Sequence, residues 1–238
     1  MGRIGDAKTW LAGWFARSDL IVLTGAGIVA AACWAFLEAA DAVSGTGHTD
    51  ARILRSLREP GDARDPVGPR WVEEAARDVT ALGGQAVLTL LVGSVVGYLA
   101  IARRRHAAVF VLVATVGGAL LSTALKGLYS RPRPDVVPHL AYVTSPSFPS
   151  GHAMLSAVVY LTLGALLARL VEGRWTKRYF IGVAVVLTTL IGVSRVYLGV
   201  HYPTDVAAGW AAGVAWAVLC WLLARYLQRR GVVEKPGT

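Results

Sequence analysis

Charged residues are scarce in this chain of 238 amino acids, and cysteine is nearly absent. Only 16% of the residues are Asp, Glu, Lys or Arg, whereas 55% are hydrophobic, and the mean hydropathy is +0.51. So apolar a composition predicts a bundle of membrane helices rather than a soluble domain. The two cysteines, Cys33 and Cys220, both lie in apolar stretches. This placement argues against a disulfide framework or a zinc site and favours packing roles.

Acidic residues are also few, and the 24 Lys and Arg outnumber the 15 Asp and Glu to give a formal charge of +9. A nucleic-acid-binding protein would be expected to carry a basic surface interleaved with aromatic side chains, and no segment has that pattern. Most Lys and Arg instead flank apolar runs, which favours contact with anionic lipid head groups. The sequence also lacks domain-scale repeats and low-complexity linkers. We therefore expect one membrane domain and no nucleic-acid partner.

Long apolar runs dominate what is present. A membrane-spanning helix needs roughly 20 apolar residues, and six segments qualify: 20–40, 85–102, 107–125, 153–171, 179–197 and 203–225. The polar segment 41–84 contains the stretches "ARILRSLREP" and "RWVEEAARDV", whose patterns predict short amphipathic helices. The predicted fold is therefore all-α, with six spans in a single domain of residues 1–238. Segment 20–40 is interpreted as a retained anchor rather than a cleaved signal peptide because its apolar core is long.

Short basic clusters predict the orientation of these spans. Cytoplasmic loops carry an excess of Lys and Arg, and with six spans all four clusters fall on one side. The clusters are Arg3, Lys8 and Arg17; Arg103 to His106, "RRRH"; Arg174, Lys177 and Arg178; and Arg225, Arg229 and Arg230. Residues 1–19 and the C-terminus are thus expected in the cytoplasm, and segment 41–84 outside it. The expected location is the cell membrane.

Polar residues collect at the opposite ends of the spans. With the basic clusters in the cytoplasm, the alternation of the six spans places seven polar residues on the outer side: Lys126, Arg133, Ser150, His152, Arg195, His201 and Asp205. Ionisable groups at membrane depth are costly and usually mark a functional site. Seven polar groups, six of them ionisable, from four helices at one surface therefore predict a site at the outer leaflet.

The residue types at this predicted site suit an anion. Three of the seven are cations, with no matching cluster of acids, and the planar fork of Arg suits phosphate. Ser150 stands where a helix N-cap is expected, and Gly151 follows it. Free backbone N–H groups and the helix dipole favour an anion there. The sequence therefore predicts a phosphate group as ligand.

The two histidines supply candidates for catalysis. His201 lies just before Pro203, which suits the first turn of a helix, and Asp205 lies just inside that turn. A carboxylate bonded to one ring nitrogen orients the imidazole and makes the other nitrogen a better nucleophile. His152, on a neighbouring helix, is placed to protonate a departing oxygen.

Three motifs contain these residues. They are Lys126, six residues and Arg133-Pro134; Pro149-Ser150-Gly151-His152; and Ser194-Arg195, five residues, His201, three residues and Asp205. In order and spacing they resemble the signature motifs of the type 2 phosphatidic acid phosphatase (PAP2) superfamily. The resemblance implies hydrolysis through a phosphohistidine without metal or cofactor. It implies that His201 is the nucleophile, Asp205 its orienting partner and His152 the general acid. The phosphoryl oxygens would then be held by Lys126, Arg133, Arg195, Ser150 and the Gly151 amide.

Several positions remain open to more than one interpretation. Arg131 competes with Arg133 for the phosphate; the spacing favours Arg133 and leaves Arg131 to shape the loop or to reach a second phosphate. Asp135 and His139 are interpreted as loop residues. The segment 77–85 is predicted to cap the N-terminus of the second membrane span, with Asp78 or Thr80 as the N-cap residue. It is also predicted to contact the site.

Two Gly-x-x-x-Gly patterns bear on oligomeric state. Gly93 with Gly97 and Gly209 with Gly213 would suit a dimer, or close helix packing within the chain, which we favour. The sequence leaves monomer and dimer open.

The predicted function is that of an integral membrane lipid phosphatase at the outer leaflet. The expected substrate is a phosphorylated lipid in a bacterial membrane: undecaprenyl diphosphate first, or phosphatidylglycerol phosphate, phosphatidic acid or a lipid A phosphate. A phosphotransferase that moves the phosphate to another lipid or a sugar is the alternative. A non-catalytic channel or lipid-binding protein is disfavoured by the complete motif set. The vanadate-dependent haloperoxidases share the motifs but are soluble, unlike a chain with six apolar segments.

Overall fold

A computed structural model describes the backbone of residues 3–45 and 47–229 and the side chains of residues 20–43 and 48–229. The side chains of four residues in the predicted basic clusters, Arg3, Lys8, Arg17 and Arg230, lie outside these ranges. The described chain is mostly helical. Its helices are α1 (Arg3–Gly45), α2 (Gly47–Ser56), α3 (Arg70–Ala81), α4 (Gln85–Ile101), α5 (Arg105–Tyr129), α6 (Gly151–Leu170), α7 (Arg174–Tyr197) and α8 (Pro203–Arg229).

Five of these helices are long and apolar enough to cross a membrane: α5 to α8, and α1 between Leu20 and Val43. Helix α4 has 17 residues and, at 1.5 Å per residue, is about 26 Å long, slightly short of a hydrocarbon core of roughly 30 Å. It counts as a sixth span only together with α3, to which it is joined at a bend of 46°. The predicted all-α membrane bundle is confirmed, and the protein is a multi-pass membrane protein.

The segment between α1 and α4 contains the two predicted amphipathic helices, α2 and α3, but also a short hairpin that the sequence did not suggest. Strand β1 (Arg58–Glu59) pairs antiparallel with β2 (Asp62–Pro66). The helix predicted through "ARILRSLREP" ends at Ser56, because Pro60 and Gly61 form a turn in which Gly61 has φ +98°. The stretch is thus part helix and part hairpin.

Helices α6 and α8 approach each other at two glycines. A Cβ atom built on Gly209 would lie 2.6 Å from the carbonyl oxygen of Ser150, and one on Gly213 would lie 2.6 Å from that of Met154. Only glycine allows backbones this close. The predicted packing role within the chain is confirmed for this pair. Gly93 and Gly97 have no such neighbour within 4 Å, so the same explanation does not apply to them.

An aromatic cluster lies beside the entrance to α6. The rings of Phe36 on α1, Tyr129 on α5 and Phe148 are packed with centroid separations of 4.8 to 5.9 Å. Phe148 is fully buried and packs near Ala208 of α8. Since "PSGH" begins directly after Phe148, this cluster fixes the start of the segment that carries Ser150 and His152.

The two cysteines differ in their environments. Cys220 is buried in α8, whereas Cys33 is exposed on α1, and both are free thiols. The predicted packing role is therefore confirmed for Cys220 and wrong for Cys33, whose side chain points away from the bundle.

Candidate active site

His201 and Asp205 are paired at the junction of α7 and α8. Pro203 begins α8 as predicted, so His201 lies in the preceding turn and Asp205 in the first helical turn. The His201 Nδ1 atom is 3.3 Å from Asp205 Oδ2. Both residues are buried, with exposures of 1% and 0%. If Nδ1 carries the proton and donates it to the carboxylate, the lone pair of the ring lies on Nε2.

Three further donors hold the Asp205 carboxylate. Oδ2 accepts hydrogen bonds from the Ser147 hydroxyl and, at 2.9 Å, from the backbone N–H of Tyr202. Oδ1 accepts a hydrogen bond of 2.6 Å from Arg131 Nη1. The carboxylate is therefore fixed in position relative to the imidazole, as an orienting partner should be.

The other ring nitrogen of His201 faces a cation. Its Nε2 lies 3.2 Å from Nη1 of Arg133. That guanidinium also donates to the carbonyl oxygens of Val200 at 2.7 Å and Ser145 at 2.8 Å. A phosphoryl group attached to Nε2 would thus lie against the Arg133 fork, whose geometry suits phosphate oxygens.

Burial sets the protonation of His201. It lowers the pKa of this imidazole to about 3, outweighing the hydrogen bond and charge of Asp205, which raise the pKa. Burial also lowers the pKa of Arg133, while the charge of Asp205 raises it. His201 is therefore neutral at physiological pH and keeps the lone pair that a nucleophile requires.

The entrance of α6 has the features of an anion site. Ser150 is the N-cap of this helix, as predicted, but its side chain makes no capping hydrogen bond. Its Oγ is buried and has no hydrogen-bond partner among the residues that the structure describes. A Cβ built on Gly151 would lie 3.4 Å from Cε of Lys126, so the glycine keeps the helix entrance next to a cation. The first-turn N–H groups and the Ser150 hydroxyl are thus all available to an anion.

Lys126 and Arg195 approach from α5 and α7. The Lys126 ammonium donates to the carbonyl oxygen of Pro146 at 2.5 Å. The Arg195 Nη1 donates to the hydroxyl of Thr80 at 3.0 Å, while its Nε is buried and has no partner in the described part of the chain. Arg195 is only 3% exposed. Buried polar atoms without partners are rare in native proteins and require an explanation, and a bound oxyanion would supply their partner.

His152 lies in the first turn of α6 and is half-buried. The charges of Arg195, Arg133 and Lys126 act on it, which places it among the other site residues. A Cβ built on Gly83 would lie 3.4 Å from Cδ2 of His152, so the turn between α3 and α4 packs against this imidazole. All eight residues proposed from the sequence thus lie at one end of the bundle.

The structure also shows the environment of Arg131. Besides Asp205, its guanidinium binds the Thr204 hydroxyl at 2.8 Å and Oδ2 of Asp50 at 3.0 Å, and it lies 4.1 Å from the ring centre of Tyr202. Of the two roles left open for Arg131, shaping the loop agrees with these contacts. Reaching a second phosphate does not, because both Nη atoms point at carboxylates.

Sequence reasoning missed Asp50 and Ser147 and misjudged the turn before α4. Asp50 is one acid among several in a polar segment, and Ser147 one serine in a loop, so neither gave a signal. The predicted caps Asp78 and Thr80 are wrong: both lie inside α3, and Gly84 is the N-cap of α4. The predicted contact of this segment with the site does occur, through Thr80 and Arg195.

The loop between α5 and α6 forms the opening of the site. A cleft of about 430 Å³ is lined by residues of this loop, including Arg131, Arg133 and Ser145. His139 donates to the Pro134 carbonyl oxygen at 2.6 Å, which agrees with its interpretation as a loop residue. Within the described ranges, no three His, Cys, Asp or Glu side chains are grouped so that they could hold a metal ion.

Residues 107–229 match the PAP2 superfamily. Phosphatidylglycerophosphatase B of Bacillus subtilis is 34% identical over 146 residues, which cover 60% of this chain and 71% of that protein. An undecaprenyl-diphosphatase of Sulfolobus acidocaldarius is 30% identical over 116 residues, 47% of this chain and 52% of its own length. The fold resembles the crystal structure of a transmembrane PAP2-type phosphatidylglycerolphosphate phosphatase from Bacillus subtilis. The two structures superpose with a TM-score of 0.77 at 27% sequence identity, over 84% of this chain and 98% of the Bacillus subtilis chain. The chain belongs to the PAP2 superfamily and is a membrane phosphatase.

Proposed function

We propose that this phosphatase removes the terminal phosphate of a membrane lipid through a phosphohistidine on His201. The central support is the polar arrangement around that residue. Its Nδ1 lies on a fixed carboxylate and its Nε2 faces Arg133, while Ser150 Oγ and Arg195 Nε are buried at the same end without partners. An oxyanion bonded to Nε2 would lie beside Arg133, and we expect Ser150 Oγ and Arg195 Nε to donate hydrogen bonds to it.

In the first step, Nε2 of His201 attacks the phosphorus atom and the bond from phosphorus to the lipid oxygen breaks. His152 gives its proton to that oxygen, so the lipid leaves as an alcohol, or as a lipid phosphate when the substrate is a diphosphate. The Nδ1 proton stays on the ring, and Asp205 stabilises the resulting cation. Such acid assistance is typically worth about 10²–10⁴ in rate.

In the second step, water attacks the phosphohistidine. His152, now neutral, takes a proton from the water, the bond between phosphorus and Nε2 breaks, and inorganic phosphate leaves. Both steps pass through charge spread over phosphoryl oxygens. Lys126, Arg133 and Arg195 supply the opposing charge, and the N–H groups at the start of α6 add hydrogen bonds.

The substrate class is a lipid with a terminal phosphate or diphosphate. The relatives above are named for phosphatidylglycerophosphate and undecaprenyl diphosphate, which supports these two as first candidates. We infer that the reaction occurs at the outer leaflet of the cell membrane, because the site lies at the helix ends opposite the basic loops and close to the polar segment 47–81.

The test combines product analysis with trapping of the intermediate. Purified protein in detergent is given a panel of ³²P-labelled lipids: undecaprenyl diphosphate, phosphatidylglycerol phosphate, phosphatidic acid and a lipid A phosphate. Wild type should release inorganic phosphate and, after rapid acid-free quenching, carry an alkali-stable, acid-labile label. His201→Ala should show neither. Turnover by a folded His201→Ala variant would overturn the proposal, and label transferred to a lipid or sugar acceptor would establish the phosphotransferase instead.

A further inference from the structure

Asp50 is a buried acid that the proposed mechanism does not use. It lies in α2, outside the PAP2-matched region of residues 107–229, and is only 2% exposed. Its Oδ2 accepts a hydrogen bond of 3.0 Å from Arg131 Nη2 and one of 2.5 Å from the Thr204 hydroxyl. Burying a carboxylate is costly unless it is paired. The partner of Asp50, Arg131, also binds Asp205, which contacts the candidate nucleophile His201.

The connection passes through a single guanidinium. Arg131 uses Nη2 for Asp50 and Nη1 for Asp205, whose other oxygen lies next to His201. The Arg131 side chain is 8% exposed, so water screens these charges little. Asp50, Arg131 and Asp205 therefore form one buried group of two negative charges and one positive charge.

The net charge of this group matters for the first chemical step. When Nε2 forms its bond to phosphorus while Nδ1 keeps its proton, the imidazole becomes cationic. Without Asp50, the charges of Arg131 and Asp205 would cancel and leave no net negative charge behind the ring. With Asp50, Arg131 is already neutralised, and the full charge of Asp205 opposes the developing cation.

We propose that Asp50 is a positioning and charge-balancing residue for His201, acting through Arg131. This rests on the proposed roles of His201 and Asp205. Asp50 binds Arg131 and Thr204 rather than the three candidate phosphate-binding cations. Its charge should therefore affect the formation of the phosphoenzyme more than the binding of the lipid phosphate.

The experiment compares Asp50→Asn with the double variant Asp50→Asn/Arg131→Met. Asp50→Asn keeps the shape and removes the charge. We expect kcat and the rate of phosphoenzyme formation to fall about 10- to 100-fold, as is typical when a residue that orients a metal-ligating histidine is removed, with KM changed less than threefold. The double variant removes the excess positive charge and restores one net negative charge on Asp205. It should regain at least part of the lost kcat.

Two controls accompany these variants. Glu73→Gln removes a partly buried acid from α3 that pairs with the exposed Arg77, and we expect its kcat to stay within twofold of wild type. His201→Ala is assayed in parallel. If it keeps its activity, the proposed function fails. If it is inactive while Asp50→Asn matches wild type, only the inference about Asp50 fails.

If Asp50 had a purely structural role, the order of the kcat values of the single and double variants would be reversed. In that case the double variant, which loses a second buried contact, would be less active than Asp50→Asn, and this result overturns the proposal. If Asp50→Asn does not purify as a monodisperse protein, the kcat of the double variant alone tests the proposed charge balance. A folded double variant with at least a tenth of the wild-type kcat supports charge balance, and a folded but inactive one rejects it.

Discussion

The backbone N–H of Ser150 donates a hydrogen bond of 2.9 Å to the carbonyl oxygen of Asp205, which joins the N-cap of α6 to the first turn of α8. The Ser150 carbonyl oxygen in turn lies 2.6 Å from where a Cβ of Gly209 would be. The two helices that carry His152 and Asp205 are thus in backbone contact. The separation of the proposed general acid and nucleophile depends on this contact.

Gly209→Ala tests this contact. The added methyl group must push the backbone at Ser150 away from α8, because a carbonyl oxygen cannot rotate aside as a flexible side chain can. We expect a loss of stability of about 1–3 kcal/mol, typical of overpacking, and a fall in kcat of at least about tenfold. Unfolding in SDS and phosphate release measure the two effects. Gly93→Ala, with open space around the new methyl group, should change neither, and equal behaviour of both variants would contradict the prediction.

Thr80→Val tests how Arg195 is held. The substitution keeps the side-chain shape but removes the hydroxyl that accepts a hydrogen bond from Arg195 Nη1. A buried donor left without its partner costs about 1–3 kcal/mol, so kcat/KM should fall about tenfold, mainly through KM. Thr123→Val is the control, since that hydroxyl bonds only within its own helix, to the Ala119 carbonyl oxygen. An unchanged KM in Thr80→Val would show that Arg195 does not depend on Thr80.

The neutral state of His201 predicts how stability depends on pH. The pKa of this group is about 3 in the folded protein and about 6.5 in the unfolded chain. Below pH 6.5 only the unfolded state takes up the proton, so the free energy of unfolding should decrease as the pH falls, by up to about 1.4 kcal/mol per unit. His201→Gln should lack this contribution. The free energy of unfolding of both proteins is measured between pH 7.5 and 4.5. The wild-type value minus the variant value should be constant above about pH 6.5 and decrease below it; a difference that stays constant over the whole range would refute the prediction.

The orientation of the site in the membrane is tested by cysteine labelling. In a variant without Cys33 and Cys220, single cysteines replace Tyr142 in the α5–α6 loop and Glu172 in the α6–α7 loop, both exposed. An impermeant thiol reagent added to intact cells should label the first and reach the second only after permeabilisation. The reverse pattern would place the site in the cytoplasm and remove the reason for proposing an outer-leaflet substrate.

Chelation and vanadate test the source of charge stabilisation. Because Lys126, Arg133 and Arg195 are proposed to oppose the phosphoryl charge, phosphate release should persist in excess EDTA. Vanadate, which mimics the transferring phosphoryl group, should inhibit in competition with the lipid. Activity that disappears with EDTA and returns with Mg²⁺ would contradict the proposed chemistry.

Local patterns were enough to predict much of this protein. The apolar runs predicted the membrane bundle, because a helix that crosses lipid must be apolar along its length. Pro203 and Ser150 predicted where α8 and α6 begin, because helix starts have strong residue preferences. The hairpin at Arg58 to Pro66 was missed, since the amphipathic pattern before it continues smoothly and only two residues of β1 pair.

Composition and the fixed spacing of motifs along the chain were sufficient to predict the helical membrane fold and the family, and to propose the residues that bind and transfer phosphate. The tertiary structure decided which of them interact. It directed Arg131 to two carboxylates rather than to a phosphate. It also brought two residues of the polar segment before α4 to the site, Asp50 to Arg131 and Thr80 to Arg195. Such contacts between residues more than 70 positions apart follow from how the helices pack, and no local pattern encodes them.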